Sequence, residues 1–175
     1  MIGIISTNKY KLSEYEFVKP IERILKKLSI DYQVLHYKNL HTVNVEDYRA
    51  FIIAGTALKD FDYLNYLESF RTIIDKPVFG ICAGAQIISL LNNGKLKDYL
   101  IIGRKSISFK NTQTYAYFLT SKIPVLDSKN IVVFAKYKDI PVFFKIKDKE
   151  LYASIFHPEV YNQDLIENFA KRFSK

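Results

Sequence analysis

Three residues of this chain have types and neighbours suited to covalent chemistry: Cys82, His157 and Glu159. Cys82 is the only cysteine and lies in Val78-Phe79-Gly80-Ile81-Cys82-Ala83-Gly84-Ala85-Gln86. An apolar run, then Gly-x-Cys-x-Gly, then a helix-forming run is the pattern of a nucleophile elbow with cysteine as the nucleophile. Gly80 and Gly84 stand where a side chain would collide with neighbouring backbone. Such a turn lifts the sulfur above a sheet edge and places it at a helix N-terminus, whose dipole favours thiolate. The N–H of Ala83 then lies in the first turn, without an intrahelical acceptor, and is available to an oxyanion. An inert thiol on an apolar strand is the plain alternative for a lone cysteine. The strand before and the helix after Cys82 favour chemistry.

The second segment is Tyr152-Ala153-Ser154-Ile155-Phe156-His157-Pro158-Glu159. A strand-like run delivers His157 as a base for the thiol. If the extended conformation persists, its period of two puts His157 and Glu159 on one face. Glu159 would then hold the imidazole in one tautomer. Alone, the segment reads better as a surface turn at a strand end. His36 and His41 read as ordinary polar residues before Tyr48.

Strands and helices must bring these residues together. Met1 to Ser6 reads as a buried strand, Tyr32 to Tyr37 as a second, Phe51 to Ala54 as a third and Pro77 to Ile81 as a fourth. Ser13 and Glu16 have capping-box spacing, and Pro20 is equally acceptable in a first turn, so a helix can start at either place. Ile21, Ile24, Leu25 and Leu28 continue it. Phe61, Leu64, Leu67 and Phe70 predict a second amphipathic helix, and Ala83 to Leu91 the helix after the elbow. From Gly94 to Phe156 only strand-like runs are found: 100–102, 106–109, 114–118, 131–134, 142–146 and 152–156. Leu165, Ile166, Phe169 and Phe173 predict a closing helix. The fold class is α/β: a three-layer, flavodoxin-like sandwich whose mostly parallel sheet gains antiparallel strands in the second half, one domain over 1–175. Cysteine, histidine and glutamate are expected to meet at the carboxyl ends of the parallel strands.

The net charge is +8, which is one signature of nucleic-acid binding. The lysines are scattered and form no block, and no zinc spacing or aromatic-basic RNA motif is present, so a solvated basic surface is the expectation. No apolar run reaches the roughly 18 residues of a membrane span, and no signal-peptide pattern opens the chain. An unpaired cysteine fits a reducing, cytoplasmic setting.

These residues resemble the class I (triad) glutamine amidotransferases. The family's Gly-Ile-Cys-x-Gly-x-Gln is similar to Gly80-Ile81-Cys82-Ala83-Gly84-Ala85-Gln86, and its Phe-His-Pro-Glu to Phe156-His157-Pro158-Glu159, in the family's order. The resemblance implies glutamine hydrolysis to glutamate and ammonia, with Cys82 as nucleophile, His157 as base and Glu159 orienting it. It further implies that Gln86 contacts L-glutamine and that the loop after the third strand, at Gly55 and Thr56, supplies oxyanion N–H groups beside Ala83. No cofactor or metal is implied. The resemblance implies a separate synthetase subunit to receive the ammonia. His-Pro-Glu-Val, through Val160, leans toward the glutaminase of GMP synthase. Against that type stand the single glycine in Ala54-Gly55-Thr56-Ala57, Ala85 in place of histidine, and no Ser-His pair near Tyr115 to Ser121. A regulatory subunit without catalysis, or a thiol hydrolase of another substrate on the same fold, remain the alternatives.

Overall fold

A computed structural model of the chain describes residues 1–110 and 112–175. Strands β1 (Ile2–Ser6), β2 (Tyr32–His36), β3 (Ala50–Ile53) and β4 (Val78–Ile81) are joined later by β9 (Leu151–Ser154). They lie in the order β2-β1-β3-β4-β9, all parallel. Every residue of β1, β3 and β4 is buried, because helices cover both faces of a parallel sheet. The sheet continues through β8 (Ile140–Ile146), β7 (Ile131–Tyr137), β5 (Lys95–Phe109) and β6 (Thr112–Val125), each antiparallel to its neighbour. This nine-stranded mixed sheet with its helices is the expected α/β sandwich.

The helices are α1 (Glu14–Phe17), α2 (Lys19–Lys27), α3 (Ala83–Leu91), α4 (Pro158–Tyr161) and α5 (Gln163–Phe173). Both suggested helix starts are used in succession. The Ser13 side chain caps nothing, and Pro20 sits in the first turn of α2. The Phe61 to Phe70 segment is not an α-helix. It is a 3₁₀ run, Asp62–Thr72, broken at Tyr66. Its apolar residues step by three each time and never by four, which is the 3₁₀ period. The runs at 100–102 and 106–109 belong to one strand, β5, with a register shift between Asp98 and Ile101. Only Ser108 and Phe109 of β5 pair with β7. The rest of β5 pairs with β6, and β6 reaches the segment that follows β9. There Tyr117 O accepts from His157 N at 2.8 Å. Among the described residues no helix is long and apolar enough to cross a membrane.

Candidate active site

Cys82 ends β4 and begins α3 at φ 49°, ψ −95°, a conformation that strains any residue with a Cβ. The surroundings hold it there. Its N–H donates to Ser154 O at 2.7 Å, and its carbonyl accepts from Gln86 N at 3.1 Å. A Cβ on Gly80 would lie 2.4 Å from the backbone of Gly84, and one on Gly84 would lie 2.6 Å from Ile53 O. The two glycines let α3 press onto β3 and β4, which fixes the turn between them.

β9 stops at Ser154, so the strand does not carry on through His157 to Glu159 as expected. Glu159 stands in the first turn of α4, and His157 caps that helix. The predicted pair forms by another route: one helical turn brings Glu159 Oε1 to 2.8 Å from His157 Nδ1. Pro158 starts that turn, since its ring is preset for a first helical position. A charged carboxylate only accepts, so Nδ1 carries the hydrogen and Nε2 is left for the thiol. Both side chains are 2% exposed. Among the described residues, Nε2 and Glu159 Oε2 have no hydrogen-bond partner. Burial acts to lower the imidazole pKa, but the charge of Glu159 and the nearby Cys82 thiol outweigh it and raise His157 well above 6.5. The Phe17 and Tyr117 rings flank the imidazole at 5.6 and 6.4 Å.

Gly55 and Thr56 follow β3 directly and reach the same place. A methyl on Gly55 would come within 2.6 Å of His157 Cε1 and 3.5 Å of Cys82 Cβ. A side chain at 55 would therefore collide with His157 and crowd Cys82. Thr56 Oγ1 donates to Asp60 Oδ2 at 2.9 Å. Gln86 is buried, neither exposed nor a cap. Its Oε1 accepts from Tyr63 at 2.5 Å, and its Nε2 donates to Lys122 O at 3.1 Å. Burial, with Cys82 and Asp60 close by, pushes the Tyr63 hydroxyl far above its usual range, so it remains a donor.

The space over the sulfur is nearly closed. It holds about 10 Å³, room for about one water, between Thr56, Tyr63, Ala83, Gln86, Leu119 and Ser121. The thiol donates to Leu119 O at 3.5 Å, and Ser121 Oγ donates to Leu58 O at 3.2 Å. Sequence reasoning missed Thr7, Asn8, Asp60, Tyr63 and the 119–122 segment. Thr7 and Asn8 carried one usable signal: they are polar residues directly after a strand that ends at the site. His36, read as ordinary, supports that loop by bonding Asn8 O through Nε2 at 3.0 Å.

Parallel strands therefore deliver a strained cysteine, a buried His-Glu pair and a glycine loop to one sheet edge. The family model for class I glutamine amidotransferases matches residues 12–174, and the chain belongs to that family. The fold is shared with a Thermoplasma acidophilum protein provisionally identified as a GMP synthase subunit (TM-score 0.80, 18% identity, 99% of this chain and 92% of that one). It is shared also with a glutamine amidotransferase of Methylobacillus flagellatus (TM-score 0.70, 15% identity, 98% and 74% of the chains). A third such structure is a glutamine amidotransferase of Thermotoga maritima (TM-score 0.67, 12% identity, 98% and 90%). No curated protein matches the chain in sequence.

Proposed function

We propose that this chain is a glutaminase domain, acting as one unit over 1–175, that hydrolyses L-glutamine through Cys82, His157 and Glu159. The observation that carries this is the buried His157–Glu159 pair against the same loop glycine as the strained Cys82. His157 takes the thiol proton, and sulfur attacks the side-chain amide carbon. The carbonyl π electrons move to oxygen, where N–H groups of Ala83, Gly55 and Thr56 receive the charge. Collapse breaks the C–N bond, and the nitrogen leaves as ammonia with the proton held by His157. Water then attacks the thioester carbon, His157 takes its proton, and the C–S bond breaks to give glutamate and free thiol. Gln86 lines the glutamine pocket. No cofactor enters these steps.

About 10 Å³ cannot admit glutamine, so the 119–122 segment and the loop 57–61 part before substrate binds. We propose that a separate synthetase subunit receives the ammonia and docks near these elements, with the reaction in the cytoplasm and neither nucleic acid nor membrane involved. The free thiol supports a reducing compartment. GMP synthase is the type the His157-Pro158-Glu159-Val160 run and the Thermoplasma neighbour's name favour. A glutamine-analogue electrophile tests the core reading: it labels Cys82, labelling is lost in Cys82→Ala, and glutamine protects. The closed cavity favours a second reading, a regulatory subunit without turnover. No labelling and no glutamate release from the wild-type chain would establish that reading in place of the first.

A further inference from the structure

We infer that Thr7 is a positioning residue whose hydroxyl turns two consecutive amides, those of Gly55 and Thr56, toward the thiol as a cradle for the oxyanion. This role rests on the glutaminase reading. Thr7 is fully buried one residue past the end of β1. Its Oγ1 lies 3.0 Å from Ala54 O and 3.1 Å from Gly55 O, a single hydroxyl hydrogen shared between successive carbonyls. Asn8 Nδ2 adds a contact of 3.4 Å to Gly55 O. A trans peptide is planar, with its C=O and N–H on opposite sides. Two carbonyls held toward Thr7 therefore send the N–H groups of Gly55 and Thr56 away from it. Successive N–H groups on one side form a nest, a concavity for an anion.

The nest lies beside the chemistry. Thr56 lines the space over Cys82 with Ala83. A methyl added at Gly55 would run into the imidazole and come within 3.5 Å of the cysteine Cβ. Outside the loop, Asp60 Oδ2 accepts both from Thr56 Oγ1 at 2.9 Å and from the N–H of Lys9 at 2.8 Å. The loop after β1 thus grips the loop after β3 at two points, from within through Thr7 and from without through Asp60. One glycine suffices in this loop, because the hydroxyl supplies the constraint on peptide orientation.

The test compares two reactions at the same sulfur. Glutamine hydrolysis passes through an oxyanion. Alkylation by iodoacetamide does not: sulfur displaces iodide, forming C–S as C–I breaks. Loss of one oxyanion donor costs about 10²–10³ in kcat. For Thr7→Val the expectation is a kcat lowered by about 30-fold or more, with KM within about threefold. Alkylation of Cys82 should keep its rate within about twofold, and Thr7→Ser should recover turnover to within about fivefold. If Thr7→Val does not fold, Thr7→Ala serves with the same expectations. Turnover retained without the hydroxyl overturns the role, and so does a parallel loss of turnover and alkylation, which marks a residue needed only for packing. A wild-type chain that leaves glutamine intact and Cys82 unlabelled refutes the glutaminase reading, a result distinct from either of these.

Discussion

The parallel strands and the β5–β6 hairpin meet at the same sulfur but hold it by different means. On the parallel side the contacts depend on residue type: glycine at 55, 80 and 84, a threonine at 7, a carboxylate at 159. On the hairpin side they are main-chain oxygens. Tyr117 O takes the His157 N–H, Leu119 O the thiol, and Lys122 O the Gln86 amide. Every residue type at 117, 119 and 122 carries such an oxygen, so these acceptors do not depend on the side chains there. One region is specified residue by residue. The other is specified mainly by where the strand runs, and it bonds the Cys82 thiol and the Gln86 amide, two groups that the proposed reaction uses. On the proposed function the hairpin, with the loop 57–61 beside it, is the part that yields when substrate enters, and the contacts fixed at 55, 80, 84 and 159 make the rest the rigid side.

The largest effect expected on the rigid side is Cys82→Ala, which should cut glutamate release by at least about 10⁴-fold with the fold intact by circular dichroism. Next comes Gly55→Ala. The added methyl drives into His157 Cε1 at 2.6 Å, and displacing the imidazole by about 1 Å should cost about 10²-fold in kcat, measured by steady-state kinetics. Glu159→Gln removes the charge that keeps His157 protonated above 6.5. With His157 as the base that takes the thiol proton, turnover needs the neutral imidazole, so in the wild type it rises as pH climbs through the raised value. In Glu159→Gln that rise should move to lower pH, read from a pH–kcat profile. The stability contribution has the opposite sign. A raised folded-state pKa stabilises fully below 6.5, and the gain is lost as pH rises through the folded value, as melting temperatures across that range would record. The smallest effect is Ser121→Ala, which unfastens the hairpin from Leu58. It should speed labelling of Cys82 by a few-fold at most and leave melting nearly unchanged, since one such bond contributes about 1 kcal/mol. A large loss of labelling from this change would erase the contrast between the two regions.

The parallel core and its motifs were legible because each imposes a local chemical demand. Gly80, Cys82 and Gly84 announce a tight turn, and the apolar strand before them announces a sheet covered on both sides. The 3₁₀ segment was misread because spacing by three is shared, in part, with an α-helix. Tyr66 breaks the run under tertiary contacts with Tyr37, whose rings meet at 5.1 Å. The His157–Glu159 pairing was foreseen and its conformation was not: one residue between them allows contact along a strand or within a first helical turn, and Pro158 tips it to the helix.

The amino-acid order alone therefore determined the elbow, the order of strands and helices in the first half, and that Cys82, His157 and Glu159 come to one sheet edge, since these rest on steric and covalent properties of the residues themselves. Tertiary structure alone decided that Thr7 grips the loop after β3 and that the hairpin closes over Cys82. Both are contacts between distant segments through carbonyl oxygens, and every residue carries a carbonyl, so no pattern in the sequence can mark them.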